Sequence, residues 1–277
     1  MRAALLQITS SDDPAENLAM LRPMLAQAAR DGAEFVLTPE VTNCVSSSRA
    51  RQRAVLRPEA EDPVLAGLRE EAARLGIWIL AGSLAVLSEP PEERFANRSF
   101  LIDAAGNIAA RYDKMHMFDV QVTETETYRE SAGFAPGESA VLADTPFGKV
   151  GLTVCYDVRF AYLYRALARA GAGILTVPAA FSPATGPGHW EPLLRARAIE
   201  TGCFVLAPAQ TGQHPVSEGR ARTTHGHSLV VSPWGEVLAD GGSAPGIVMV
   251  DLDLSDVQKA RQQIPSLQHD REFVGPA

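Results

Sequence analysis

A chain of 277 residues, 46% of them hydrophobic, carries enough apolar material for one large core and fits one large domain more easily than two small ones. Its formal net charge of -8 argues against a nucleic-acid backbone as partner. The three cysteines, Cys44, Cys155 and Cys203, are odd in number and lack metal-ligand spacing. That disfavours a disulfide scaffold or a metal site and points to a reducing, cytoplasmic setting.

In chain order, residues 3–8 read as a first strand. The opening stretch is too short and too promptly polar for a signal peptide, and no apolar run reaches membrane-spanning length, so no membrane partner is expected. Asp13-Pro14 offers an N-cap and an N1 proline for a helix running to Arg30 and closed by Gly32. Residues 34–37 form a second strand, which delivers Glu40 just past its carboxyl end. Asp62-Pro63 starts another helix in the same way, ending before Gly76, and residues 77–80 form the next strand. This β-α-β-α-β alternation predicts parallel strands with helical crossovers.

The middle of the chain reads differently. Residues 98–102 and 107–112 flank Asp103-Ala104-Ala105-Gly106 as an antiparallel hairpin that leads into Lys114. Residues 120–140 show no clean period and read as a long loop, holding Glu124, Glu126 and Glu130. Residues 148–154 are a buried strand, and 161–171 a helix ending at glycine. The alternation then resumes with a strand at 173–177, a Pro/Gly-rich loop at 178–189, a helix at 190–201 and a strand at 203–207. A hairpin around Pro233-Trp234-Gly235, a strand at 246–251 and a helix at 254–263 complete the order, and about 264–277 is a polar tail. Two β/α-rich halves suggest two packed sheets with helices on the outer faces, burying one core.

Cys155 ends its strand at the turn into a helix, which can present a sulfur to a cleft at the carboxyl ends of strands. Backbone N–H groups just beyond it can hold an anion. Glu40 and Lys114 also follow strand-like segments. Together the three would make a chemical set: a carboxylate to take the thiol proton, and a lysine with a backbone N–H to hold a tetrahedral oxyanion. The residues alone leave plainer roles open: Glu40 as a solvated loop carboxylate, Lys114 as a partner of Asp113, Cys155 as packing. Cys203 reads as core, Cys44 as pocket wall without an evident base, and His227 as a core histidine in a strand. Glycine-rich phosphate loops and dinucleotide fingerprints are absent.

Three stretches carry a family resemblance: Leu37-Thr38-Pro39-Glu40, Tyr112-Asp113-Lys114-Met115-His116-Met117-Phe118-Asp119, and Gly151-Leu152-Thr153-Val154-Cys155-Tyr156-Asp157-Val158-Arg159-Phe160. On these the chain resembles the carbon–nitrogen hydrolase family, also called the nitrilase superfamily, over nearly its whole length. The resemblance implies a four-layer α-β-β-α sandwich, residues 1–277 forming a single hydrolase domain. It further implies a Glu-Lys-Cys triad with Glu40 as base and acid, Lys114 beside the oxyanion and Cys155 as nucleophile. Glu130 matches the second glutamate that positions substrate and lysine, and the Tyr156 backbone N–H is the second oxyanion donor. Tyr156-Asp157, where nitrilases usually carry Trp-Glu, favours an amidase.

The stretch from Gly186 to Thr201 looks like the amidase branch of deaminated-glutathione amidases and omega-amidases. The implied reaction is thioester-mediated hydrolysis of a small carboxylate-bearing amide with release of ammonia, without metal or cofactor. The small-molecule amide is the expected partner, and a homodimer or higher homo-oligomer the expected assembly. Arg159 is a candidate carboxylate clamp or a partner of Asp157, and His189 a candidate pocket residue or, equally, a cap or packing residue. Two departures from the family pattern, Ala161-Tyr162 after Phe160 and His225 in His225-Gly226-His227-Ser228, fall where substrate selection is expected. Rival readings are an N-carbamoyl amino acid amidohydrolase, a weak nitrilase and a non-catalytic scaffold.

Overall fold

The structure is a computed structural model that describes residues 1–88, 92–124 and 126–276. Thr125, inside the expected long loop, and Ala277, the end of the tail, lie outside the described residues. The first half runs β1 (Arg2–Gln7), α1 (Pro14–Arg30), β2 (Phe35–Leu37), α2 (Arg49–Val55), α3 (Pro63–Leu75), β3 (Trp78–Leu87), β4 (Phe95–Ile102) and β5 (Ile108–Asp113). Asp13 caps α1 by accepting from the N–H groups of Ala15 and Glu16, and Asp62 caps α3 by accepting from that of Leu65. Gly76, in the left-handed conformation, ends α3.

Where a loop was expected, the chain forms β6 (Asp119–Gln121), β7 (Thr127–Arg129), a 3-10 turn at Glu130–Ala132 and β8 (Phe134–Ala135). The β6–β7 pairing is local and antiparallel, with Tyr128 packed on Phe118, so a hairpin forms without any long periodic run to announce it. The second half runs β9 (Val141–Thr145), β10 (Gly148–Leu152), α4 (Ala161–Arg169), β11 (Ile174–Thr176), α5 (Gly186–Thr201) and β12 (Phe204–Ala207). It closes with β13 (Thr211–Gln213), β14 (Thr223–His225), β15 (Leu229–Val231), β16 (Val237–Asp240), β17 (Gly246–Asp251) and α6 (Ser255–Gln263). α5 starts four residues earlier than expected because its first turn is Gly186-Pro187-Gly188, and proline is tolerated there. His227 is not in a strand. It precedes β15 in a left-handed conformation, partly exposed, with its ring on Asp240.

The strands build two main sheets in the orders β17-β1-β2-β3-β4-β5, with β8 added beside β4, and β16-β15-β12-β11-β10-β9, while β6–β7 and β13–β14 form separate two-stranded pairs. Each main sheet has three central parallel strands, β1-β2-β3 and β10-β11-β12, with antiparallel strands outside them. The alternation of side chains along each strand decides the layers. Ala3 and Leu5 of β1, Phe35 and Leu37 of β2 and Leu80 of β3 join Val150, Leu152, Ile174 and Phe204 in one cluster between the sheets. The intervening Ala4, Leu6, Val36 and Ile79 face Leu21, Leu25, Leu65 and Leu68 of α1 and α3 on the other side. Leu163, Leu167, Trp190 and Leu194 of α4 and α5 cover the second sheet. The result is the expected α-β-β-α sandwich. Among the described residues, no helix is long and apolar enough to cross a membrane.

This topology sets the position of the site. β3, β4 and β5 are successive antiparallel neighbours, so β5 points the same way as β2 and β3. Residues just after β2, β5, β10 and β11 therefore meet at one edge of the sandwich.

Candidate active site

Glu40, Lys114, Glu130, Cys155 and Tyr156 line one cavity of about 260 Å³ at that edge. The Glu40 loop folds back closely on β3. A Cβ at Gly82 would stand 1.9 Å from the Thr38 carbonyl oxygen, so only glycine permits that approach. Val41 at φ 47° and Cys155 at φ 50° both hold the left-handed conformation, which costs a non-glycine residue energy and concentrates at functional sites. Cys155 opens the short 3-10 helix Cys155–Arg159, and its own N–H donates to the Pro178 carbonyl at 2.9 Å.

Lys114 is 2% exposed, and its ammonium is shared between two carboxylates. Nζ donates to Glu40 Oε1 at 2.9 Å and to both oxygens of Glu130 at 2.9 and 2.8 Å. Glu40 Oε2 accepts from the Ala180 N–H at 2.8 Å, which ties the end of β2 to the end of β11 across the two sheets. Glu130 Oε2 accepts from the Phe118 N–H at 2.6 Å. Asn97 of β4 donates Nδ2 to Glu40 Oε1 at 2.9 Å and to Glu130 Oε1 at 3.3 Å. Lys114 does not pair with its neighbour Asp113, whose carboxylate is taken by Arg98.

These contacts settle the protonation states. Burial pushes the Glu40 carboxyl up, but the charge and hydrogen bond of Lys114, helped by Arg222, outweigh it, and the net direction is down. Burial pulls Lys114 down, yet Glu130 and Glu40 together hold it well above the ordinary lysine value. Burial and then the Glu40 charge push the Cys155 thiol well up, against the opposing charge of Lys114. The resting site is thus a carboxylate, an ammonium and a neutral thiol whose proton faces a base. Cys44 also lines the cavity, but burial, followed by the Asp12 charge, pushes its thiol up to about 12, and its Sγ lies 3.8 Å from the Asp12 carbonyl oxygen. Cys203 is fully buried in the core.

Two sequence candidates stand apart from this group. Arg159 and His189 are not among the cavity's lining residues; they pair with each other, Nη2 to Nδ1 at 3.1 Å, with the Arg159 guanidinium on the rings of Tyr156 and Phe181, which do line it. Arg159 does not pair with Asp157 either. That buried carboxylate is filled by Tyr112, His116 and the Val154 N–H. His225 packs its ring against Gly186 and stacks on His227. Conversely, the cavity holds Asn97, Thr185, Arg222 and Tyr128, none of which the sequence singled out. Asn97 sits in β4 between Ala96 and the charged, half-buried Arg98, so no run of apolar neighbours marked it out. Among the described residues no group of three or more His, Cys, Asp or Glu side chains is arranged to hold a metal ion.

The carbon–nitrogen hydrolase family model matches residues 2–262. The chain is 40% identical over 269 residues to a protein of Yersinia enterocolitica named deaminated glutathione amidase, covering 97% of this chain and 92% of that relative. Among solved structures, Nit3 of Saccharomyces cerevisiae, described as a member of branch 10 of the nitrilase superfamily, aligns with a TM-score of 0.85 at 28% identity over 99% of this chain and 97% of that one. A mutant amidase of Nesterenkonia sp. AN1, whose active-site cysteine carries the result of Michael addition of acrylamide, aligns with a TM-score of 0.77 at 30% identity, covering 96% of this chain and 98% of that one.

Proposed function

From the premise that the chain belongs to the carbon–nitrogen hydrolase family and is an amidase acting on carbon–nitrogen bonds other than peptide bonds, we propose that Cys155 is its nucleophile, Glu40 its acid–base group and Lys114 its oxyanion-side cation. The observation that carries the assignment is the neutral Cys155 thiol facing a Glu40 carboxylate that Lys114 keeps ionised. Glu40 takes the thiol proton as sulfur attacks the amide carbonyl carbon. Lys114 Nζ and the Tyr156 N–H, in the first turn of the 3-10 helix where no preceding intrahelical carbonyl claims it, hold the oxyanion. The tetrahedral adduct collapses as Glu40 passes the proton to the leaving nitrogen, which departs as ammonia from a primary amide or as an amine from a substituted one. Water, deprotonated by Glu40, then cleaves the thioester, and the proton returns to the thiolate. Glu130 keeps Lys114 charged and in place through its two contacts.

The substrate in this reading is a small amide bearing a carboxylate, of the deaminated glutathione or 2-oxoglutaramate kind; the names of the relatives support the first of these. The continuous core between the sheets supports a single hydrolase domain. Three free cysteines support a cytoplasmic setting. The exposed apolar side chains Tyr162, Ile199 and Trp234 support a homo-oligomer. The deciding experiment is turnover of acidic amides, carbamoyl amino acids and nitriles side by side, with intact-mass detection of an acyl group on Cys155 after acid quench. Acidic amides turned over through a Cys155 adduct are expected. Preference for nitriles or carbamoyl compounds, or full turnover by Cys155→Ala, would overturn the reading.

A further inference from the structure

Three buried side-chain polar atoms among the described residues have no hydrogen-bond partner: Asn97 Oδ1, Thr185 Oγ1 and Arg222 Nε. All three belong to residues that line the same cavity as Cys155. A buried polar atom without a partner is costly, and clustering of every such atom around one cavity points to a ligand that satisfies them. The chemistry of the three atoms describes that ligand. Arg222 Nε–H is a charged donor, Thr185 Oγ a hydroxyl, and Asn97 Oδ1 an acceptor only.

Arg222 is built to receive an anion. Its Nη2 donates to the Ala180 carbonyl at 2.5 Å, and its guanidinium lies 5.9 Å above the Tyr128 ring centre, so the side chain is held in place without a carboxylate. Among the described residues it forms no ion pair with any carboxylate. The Nε–H and a remaining Nη–H then offer one edge of the fork for a bidentate contact. Thr185 stands at the start of α5 and makes no capping bond with its side chain, so its hydroxyl is free to donate. Asn97, by contrast, sits between Glu40 and Glu130 with its Nδ2 committed to both, at the reacting end of the cavity.

We propose that Arg222, with the Thr185 hydroxyl, is the subsite for the carboxylate of the substrate, and that Asn97 Oδ1 accepts an N–H of the scissile amide. The ligand's identity rests on the amide-hydrolase reading and deepens it. Arg222 is then the specificity residue, and Arg159, which does not line the cavity and is engaged with His189, is not.

The test measures binding without turnover. Succinamate, glutaramate and adipamate, each against its neutral methyl ester, are titrated by calorimetry into the Cys155→Ala protein, and then into the same protein carrying Arg222→Lys, Thr185→Val, Arg159→Lys or Arg49→Gln, Arg49 being another arginine that lines the cavity. At least one acid should bind about 10–100-fold more tightly than its ester, the range of a charge-assisted bidentate contact. Arg222→Lys should remove most of that preference and Thr185→Val part of it, with ester binding unchanged in both. Arg159→Lys and Arg49→Gln should leave the preference intact. No acid preference in the Cys155→Ala protein, a preference that survives Arg222→Lys, or one lost on changing Arg159 or Arg49 instead, would overturn the proposal. Acid binding through Arg222 in a protein whose wild type never cleaves an amide would refute the amide-hydrolase reading and leave the subsite standing.

Discussion

The Tyr112 hydroxyl donates to Asp157 Oδ2 at 2.7 Å, joining the strand end two residues before Lys114 to the turn two residues after Cys155. The same buried carboxylate accepts from the Val154 N–H at 2.8 Å and the His116 N–H at 3.1 Å, and meets His116 Nδ1 at 2.6 Å. One side chain therefore fixes both flanks of Lys114 and the residue before Cys155, across two sheets. Burial, followed by the Asp157 charge, pushes the Tyr112 phenol well above its usual range, so it stays a donor.

Asp157→Asn should show what this clamp contributes. The amide keeps the shape but turns one acceptor oxygen into a donor facing other donors. Leaving buried groups unmatched costs about 1–3 kcal/mol each, so a loss of about 2–4 kcal/mol in urea unfolding is expected. Turnover should fall roughly 10–100-fold, because a small displacement of Lys114 from Cys155 spoils the reacting geometry. Tyr112→Phe, which removes one contact only, should cost less on both scales. Unchanged stability and turnover in both variants would mean that the clamp does not position the site.

Much of this arrangement was legible in the sequence, and the reasons for the gaps are physical. Asp13-Pro14 and Asp62-Pro63 announced α1 and α3 because caps are local chemistry. Glu40, Lys114 and Cys155 could be seen to follow strands, but their meeting depends on β5 running parallel to β2 and on two sheets packing face to face. Neither is written in any local pattern. α2 was missed because Arg-Ala-Arg-Gln-Arg-Ala-Val has no apolar period, and only Ser48 marks its start. The β13–β14 hairpin was missed for a similar reason: three-residue strands carry too little alternation to read. Arg222 sits at that hairpin's margin, and nothing in its neighbours hints that Ala180 and Tyr128 will hold it over the cavity.

Glu40→Gln should retain the fold and lose about 10²–10⁴-fold in kcat, the usual worth of general acid–base help. The pH profile tests the same assignment. Glu40 works ionised, and its carboxyl lies below the ordinary 4.5, so activity should persist down to that region and fall only as pH drops through the lowered value. The thiol and the lysine both titrate above their ordinary 9.0 and 10.5, which leaves the alkaline side open. An essentially flat kcat/KM between about pH 5 and pH 8.5 is expected. An acid limb near neutrality would require a different base.

The strained turn at Cys155 predicts an order of stability between two inactive variants. At φ 50° an alanine keeps the steric cost of the left-handed conformation, whereas a glycine does not. Glycine gives back part of the gain through its greater freedom in the unfolded chain. Cys155→Gly should nevertheless be more stable than Cys155→Ala, by about 0.5–1 kcal/mol in urea unfolding. The reverse order would mean that the turn relaxes at no cost once sulfur is removed.

His214 should make the protein sensitive to mild acid. The ring is 1% exposed, with Nδ1 at 2.8 Å from the Ser10 carbonyl oxygen and Nε2 at 2.8 Å from Thr224 Oγ1. A carbonyl can only accept, so Nδ1 carries the hydrogen, and the neutral ring accepts the threonine hydroxyl at Nε2. Burial, with Arg222 adding to it, lowers the pKa from 6.5 to about 4 despite the bond to Ser10. Below about pH 6.5 the unfolded chain takes up a proton at this site that the native protein refuses until about pH 4. Stability therefore falls with falling pH across that window, by roughly 3 kcal/mol in total at about 1.4 kcal/mol per unit. Carboxylates lowered in the native state, Glu40 among them, add a slope of the same sign at more acid pH. The contribution of His214 is isolated by comparison with His214→Gln, which cannot titrate. At pH 7 the wild type should be the more stable of the two, since glutamine reproduces one contact better than both. As pH falls toward 4, the gap should close by roughly 3 kcal/mol in urea unfolding. Parallel curves for the two proteins would show that the ring titrates alike in the folded and unfolded chain, contrary to its burial.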